Sequence, residues 1–541
     1  MTEPAVPAIA PNFAAVKAGT IKLTNQERIK QEKDGMDILD DLLGRFAKEG
    51  YATIPEDDFE RMKWYGFYRQ RPKEAGIFML RLKMPGGQFT AEQGKVIAEI
   101  AAERARGFLD VTTRQTFQMH WLKVEDFPVI WKRLKAVGMT TSGACGDDTR
   151  NVVGCPVSGV DPHELFDATP FTLAVSKMLT DNREFSNLPR KFKISISGCA
   201  IQCAQPDINC LGLFGVKRKD GTVGFGVMVG GGLSTAPHLA QVLPVFLPLE
   251  EKKVLEVVRG VTQIFRDEGY RANRTRARLK FLVADWGAKK FTEELEKRLG
   301  YKMEPGEEWV RPKDAEGDHF GITPQKQKGL FYVGVSCLGG RISAEKLKKL
   351  CEISTGFSEG RLRNTNKQNI VLIDVPEAKL PALKKALDEA GFVYEASHFR
   401  KGGISCTGIE FCNLAVVETK NRMMVLIEQL EAMGLDPGKL RIHFSGCPSS
   451  CGQHQVADLG FRGTKVKVDG QQEDAFEMFV GGRLGDGRRF NELVKSKVPS
   501  KDLHLTVRKA IEFYLANRKG TESFTDFCSR TPREQISAAL G

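Results

Sequence analysis

The chain has 541 residues, too many for one compact core; at roughly 100–200 residues per domain it divides into several units. Its composition, 41% hydrophobic and 27% charged, is that of a globular protein, and without an apolar run of about 18 residues no membrane span is expected. The net charge of +12 comes with no nucleic-acid motif and no long Lys/Arg run, which excludes a nucleic-acid reader; the dispersed cations suit solvent, anionic ligands and an acidic protein partner.

Met1 to Lys17 lacks the basic-then-apolar layout of a signal peptide, which points to the cytoplasm. Residues 1–60 read as an N-terminal extension, with a Pro/Ala-rich start and one helix predicted from about Asn25 to Lys48. From Phe78 onward a pattern begins that returns later. MPGGQFTAEQ (84–93) matches CLGGRISAEK (337–346), and TTRQTF (112–117) matches TNKQNI (365–370). The offset is constant: Gly87 maps to Gly340, Gln115 to Gln368 and Gly138 to Gly391. Such constancy marks a duplicated module. Each copy reads strand, Gly-Gly turn, helix, strand, helix, with near-3.6 apolar spacing at Ile97, Ile100 and Ala101 and at Leu347, Leu350 and Ile353. This predicts an α+β module with an antiparallel sheet.

A second duplicated segment follows each copy. ISGCAIQCAQPDINCLGLFG (196–215) mirrors FSGCPSSCGQHQVADLGFRG (444–463), and VMVGGGL (227–233) mirrors MFVGGRL (478–484). The order module, segment, module, segment predicts two halves related by pseudo-twofold symmetry, with a ligand at the interface between them. The glycine run 229–233 could bring backbone N–H groups to an anion, although such a run is more often a turn.

Twelve cysteines in a chain without a signal peptide favour metal or catalytic roles over disulfides. Cys337, Cys351 and Cys528 are isolated and read as buried or neutral thiols. Cys406 and Cys412 form C-x5-C, and Cys447 and Cys451 form C-x3-C. Four thiolates meet the need of a cubane cluster, one per iron. Zinc also accepts four thiolates, but its structural sites favour two to four intervening residues, which C-x5-C exceeds; a non-redox zinc protein is the distant alternative. Gly408, Gly446 and Gly452 would let backbone N–H groups approach the sulfurs.

The segments CTGIEFCNLAVVETK (406–420) and HFSGCPSSCGQHQVADLGF (443–461) resemble the paired motif of the siroheme and [4Fe-4S] sulfite/nitrite reductases. The similarity is closest to the ferredoxin-dependent assimilatory sulfite reductase branch and extends over nearly all the chain beyond about residue 50. It implies ferredoxin-like half modules over 61–140 and 321–397. It also implies a siroheme- and substrate-binding domain over 141–320 and a [4Fe-4S]- and siroheme-binding domain over 398–541. By the resemblance, Cys406, Cys412, Cys447 and Cys451 hold the cluster, and Cys451 also ligates the siroheme iron. Arg114 in TTRQTFQ, Arg150 in DDTRNVVGCP, and Lys191 and Lys193 in NLPRKFKI match the family's anion-binding residues. A strand period puts Lys191 and Lys193 on one face with Phe192 opposite. Arg190 and Arg278 are candidates for the siroheme carboxylates, Arg278 within the basic run RANRTRARLKF (271–281), which could equally be solvated.

The implied reaction is six-electron reduction of sulfite to sulfide. Ferredoxin-dependent reduction of nitrite to ammonia, with the same cofactors, is the alternative. Lys191-Phe192-Lys193 favours sulfite, because nitrite-reducing relatives tend to carry Asn at the second lysine. No nicotinamide or flavin motif is present, so an acidic ferredoxin is the expected donor to a monomeric enzyme. In the first half, Cys199 and Cys203 mirror Cys447 and Cys451. Six residues on from Cys145 stands Asn151 rather than a cysteine, so the pair reads as a relic of duplication rather than part of a second cluster. Cys145, five residues before Arg150, is a candidate reactive thiol.

Overall fold

The computed structural model describes residues 19, 23–313 and 317–541. Four sheets carry the chain, two for the modules and two for the segments that follow them. The modules do not close their sheets independently. The first sheet runs Phe67–Arg69, Phe78–Arg81, Phe117–Leu122, Phe108–Val111 and then Arg341–Ser343, a strand from the second module. The second sheet runs Gly321–Pro324, Leu330–Val335, Ile370–Pro376, Arg361–Asn364 and then Gln88–Thr90, a strand from the first. All these pairings are antiparallel. The exchanged strands follow the Gly-Gly turns, where the sequence pattern shows only a turn running into a helix.

The second glycine of each turn is what permits the exchange. Gly87 (φ 73°) lies against the Asn364 carbonyl, where a Cβ would approach to 2.2 Å, and Gly340 (φ 70°) lies against the Val111 carbonyl, where it would approach to 2.6 Å. Glycine alone tolerates both the left-handed conformation and the close backbone approach. The modules consequently share one hydrophobic core, from Phe78, Ile97 and Phe117 to Leu347, Leu350 and Leu372. The helices Ala91–Arg104 and Ala344–Phe357 pack on it after starting from Thr90 and Ser343 caps.

Each following segment builds its own sheet and core. In the first, Val153–Gly154, Ile194–Ser197 and Leu211–Lys217 are parallel neighbours. In the second, Gly403–Ser405, Ile442–Ser445 and Leu459–Val468 repeat the arrangement. Loops leaving the carboxyl ends of parallel strands are where open α/β sheets present ligands. Those loops carry Cys155 and Cys199 in one half and Cys406 and Cys447 in the other.

The single helix predicted near the N-terminus is instead three short ones, Asn25–Glu32, Leu39–Leu43 and Arg45–Glu49, separated by a 3-10 turn at Gly35–Ile38 and a non-helical Gly44. Gly35 meets the Trp64 ring where a Cβ would collide, so packing breaks the helix there. This segment is tied to the body. Glu27 accepts from Lys30 at 2.5 Å and from the fully buried Arg271 at 2.9 Å, and Lys30 lies 3.4 Å from Asp147. Among the described residues no helix is long and apolar enough to cross a membrane.

Candidate active site

The four cysteines of the second half come together on two loops. Cys406 follows its strand directly, and its backbone N–H donates to the Phe444 carbonyl at 3.1 Å. Its Sγ accepts from the Gly446 N–H at 3.2 Å, and the Leu414 N–H donates to Cys412 Sγ at 3.4 Å. A Cβ on Gly446 would meet the Ala415 side chain at 2.9 Å, and one on Gly452 would meet the Phe444 carbonyl at 1.9 Å. The glycines therefore set the loop spacing that aims N–H groups at sulfur. Burial pushes the Cys406 thiol up to about 11 and raises Cys412, with the Cys451 sulfur adding repulsion to both. Thiols packed in this way favour a cationic metal centre that takes them as thiolates.

Cys451 opens onto a cavity between the halves, walled by Thr113, Arg114, Lys193, Gln205, Asn209 and Gln453. Arg114 sits at the turn between two strands of the first module, beside Gln115 at φ 60°. Its guanidinium donates to Asn209 Oδ1 at 2.9 Å and to the carbonyls of Asn151 and Ile194 at 2.5 and 3.1 Å, which leaves its buried Nε without a partner. Burial lowers Arg114 to about 9.

Lys191 and Lys193 stand on one face, as the strand period predicts. Phe192 points the other way into the core and stacks on Phe265 at 5.6 Å. Burial, then the Arg278 charge, lowers Lys191 to about 7, while the Cys451 sulfur opposes the shift; Lys193 is lowered well below the usual lysine range by burial and by Arg114. Arg150 does not line the cavity wall; it acts on Lys191 through its charge, and its own buried Nη1 has no partner.

The basic run 271–281 divides by position. Arg271, Arg274 and Arg276 are bound by Glu27, Asp147 and Asp285. Arg278 donates instead to Cys210 Sγ at 3.3 Å, beside Gly232, and keeps a buried unpartnered Nε. Arg190 donates to the Arg274 carbonyl at 3.1 Å and is lowered to about 10 by burial. The glycine run 229–233 serves close packing: Gly230 lies on Val283 and Gly231 on the Asp207 carbonyl. Cys337 and Cys351 are buried thiols raised by burial to about 12, as isolated cysteines should be.

A convergence of buried cations with orphaned donors fits a polyanionic ligand. The guanidinium and ammonium groups were desolvated on folding, and charge-assisted hydrogen bonds to carboxylates or an oxyanion would offset that cost. The site residues also fit siroheme by chemistry, with the Cys451 sulfur as a metal ligand and basic side chains at Arg278, Lys191 and Lys193.

Sequence reasoning missed three side chains here. Asn209 orients Arg114, and Gln205 and Gln453 join the halves. Their signal is the repeat itself, because Gln205 and Gln453 occupy mirrored positions. It also paired Cys145 only with Arg150, whereas Arg81 Nη1 donates directly to Cys145 Sγ at 2.9 Å.

Comparison with known proteins follows the same plan. The family description "Nitrite and sulphite reductase 4Fe-4S domain" matches residues 145–303 and 405–537, and "Nitrite/Sulfite reductase ferredoxin-like half domain" matches 69–137 and 323–390. An assimilatory ferredoxin-dependent nitrite reductase of Haloferax mediterranei is 37% identical, over 93% of this chain and 90% of that one. A sulfite reductase [ferredoxin] of Mycolicibacterium paratuberculosis is 35% identical, over 95% and 96%. The solved structure of the Mycobacterium tuberculosis NirA protein superimposes with a TM-score of 0.92 at 33% identity, covering 98% of this chain and all of that one.

Proposed function

The chain belongs to the nitrite and sulphite reductase family, an oxidoreductase family that carries siroheme and a [4Fe-4S] cluster, and on that premise we propose that it reduces sulfite to sulfide with six electrons from ferredoxin. Cys406, Cys412, Cys447 and Cys451 hold the cluster in this reading, and Cys451 also serves the siroheme iron. When bound, the two groups supply the one-electron chemistry.

The chain's own residues bind and protonate. Arg114 supplies fixed guanidinium charge for the anion's oxygens, and Arg150, off the cavity wall, adds its charge through its effect on Lys191. Lys193 lines the cavity and Lys191 precedes it by two residues, and a lysine lowered to about 7 can release its proton near neutral pH. Arg190 and Arg278 would hold siroheme carboxylates. The non-polar face of the Lys-Phe-Lys segment, anchored by Phe192 in the core, keeps both ammonium groups aimed at one place.

The observation that carries the choice of sulfite is this second lysine, Lys193, on the cavity wall beside Arg114. Sulfite is often doubly charged and loses three oxygens, so a second cation and proton source serves it more than it serves nitrite. The nitrite reading is supported by the Haloferax relative, a nitrite reductase. Turnover of the purified holoenzyme with reduced ferredoxin separates them. We expect kcat/KM for sulfite to exceed that for nitrite, and Lys193→Asn to narrow the ratio at least tenfold. A nitrite preference in the parent enzyme would overturn the choice of anion and leave the cofactor assignment standing.

A further inference from the structure

Among the described residues, one group of metal-ligating side chains brings three ligand atoms within 4.8 Å of one another: Cys155, Cys203 and His319. It lies in the first half, apart from the cluster cysteines. Cys203 Sγ is 3.8 Å from Cys155 Sγ and 3.1 Å from His319 Nε2, and Cys155 Sγ is 3.9 Å from the same nitrogen. All three are buried.

The mirrored loops explain the arrangement. Cys155 follows the strand Val153–Gly154 as Cys406 follows Gly403–Ser405. Gln115 exchanges two hydrogen bonds with the Gly154 backbone, and its repeat partner Gln368 exchanges two with the Ser405 backbone. Cys155 is therefore the counterpart of Cys406, and counting from Cys145 in the sequence started at the wrong residue. Six residues beyond Cys155 stands Asp161, where Cys412 stands beyond Cys406. Cys199 and Cys203 complete the mirrored set.

The geometry has nonetheless changed. A cubane gives each thiolate its own iron, and the four cysteines of the second half form no group as tight as this one. With metal–sulfur bonds of about 2.3 Å, the edge of a tetrahedral zinc site is about 3.8 Å, which is the spacing found between Cys155 and Cys203. His319, which belongs to neither duplicated loop, inserts its ring from the segment leading into the second module, with its backbone in the left-handed region at φ 48°. That conformation is costly for a non-glycine residue. Cys199 interacts with Cys155 but stands outside the three-residue group, and Asp161 is buried with Oδ2 lacking a partner and its charge acting on His319.

We propose that Cys155, Cys203 and His319, completed by Cys199, hold one zinc ion that staples the linker before the second module to the first half. The buried Asp161 carboxylate adds its negative charge near the histidine. The site rests on a small core formed with Val157, Val160, Tyr332, Val371 and Ile373, so the ion would join the first half to the second module's sheet. This inference is independent of which anion the enzyme reduces.

Elemental analysis of the as-purified holoenzyme tests it, together with absorption spectroscopy at the zinc edge. The expected result is about one equivalent of zinc in sulfur and nitrogen coordination. Cys203→Ser and His319→Gln should each lower zinc at least tenfold while leaving the iron content and the siroheme spectrum unchanged. Should Cys203→Ser fail to fold, His319→Gln and the parent protein's zinc count still decide the matter. Iron in excess of one cluster and one siroheme would overturn the proposal in favour of a second cluster. A zinc-free parent protein that takes up no added zinc would overturn it outright.

Discussion

The carboxamides of Gln205 and Gln453, 248 positions apart, hydrogen-bond each other reciprocally at 3.0 and 2.9 Å. Each also takes a left-handed backbone conformation, at φ 59° and 58°. Equivalent residues that donate to and accept from one another mark the pseudo-twofold axis, as in an isologous interface. The axis passes through the cavity wall. Gln453 lies two residues beyond Cys451, and the Gln205 carbonyl accepts from Asn209, which in turn holds Arg114. One hydrogen-bonded chain thus runs from Arg114 to the loop of Cys451.

The reciprocal pair makes a double-mutant prediction. Gln205→Leu or Gln453→Leu alone leaves a buried amide unsatisfied and should cost about 1–3 kcal/mol. The double variant should cost less than the sum of the two. Denaturant unfolding of the four proteins measures the coupling, and strict additivity would show that the pair contributes nothing to the interface.

Arg114 should not tolerate lysine. Its guanidinium donates to three partners at once, a fork that an ammonium cannot reproduce. Arg114→Lys and Arg114→Ala are both expected to lower kcat/KM for the anion by about a hundredfold, the scale for losing one preorganised donor. Recovery of most activity in Arg114→Lys would mean that charge alone suffices.

Lys191 sets an alkaline limit. Its folded value is lowered to about 7 by burial and neighbouring cations, and siroheme carboxylates in the holoenzyme would raise it back toward the usual lysine range. The kcat/KM profile should therefore fall somewhere between pH 7 and 10 as Nζ loses its proton. In Lys191→Arg that limb should move above pH 10. An unchanged limb would assign the titration to another group.

Behind the cluster loop, Asp110 is buried among His120, Arg341 and Lys420, while His120 stacks on Phe411 at 3.9 Å. Against the opposing effect of burial, the Lys420 charge, the His120 hydrogen bond and the Arg341 charge hold the Asp110 carboxyl well below the usual carboxylate range. A depressed folded value means stability that is present above pH 4 and is lost as the pH falls below it toward the folded value. Asp110→Asn leaves the buried Lys420 without its carboxylate, while Arg341 keeps Glu410, and should cost about 3–5 kcal/mol at neutral pH. Part of the acid sensitivity should vanish with it. Melting curves from pH 3 to 7 for both proteins check the sign.

Much of the chemistry was legible in order along the chain. The C-x5-C and C-x3-C pairs, the glycines beside them and the alternation Lys191-Phe192-Lys193 are local patterns, and local patterns survive being read in one dimension. The duplication was equally plain, because a repeat is a property of the string. What the sequence could not determine was which copies of the repeat touch. The strands Gln88–Thr90 and Arg341–Ser343 look like parts of their own modules and pair with the other. Cys155 looks misplaced against Cys145 until its strand identifies it as the counterpart of Cys406, and His319 carries no motif at all. The basic run 271–281 has uniform composition, yet three of its arginines meet carboxylates and Arg278 meets a thiol. Each of these outcomes depends on contacts between residues far apart in sequence, selected by close backbone approach at Gly87 and Gly340 and by burial of charge against a partner. Residue order therefore determined the kinds of group available and their repetition, and only the tertiary structure decided which of them meet, because pairing energy depends on distance in space and not on position in the chain.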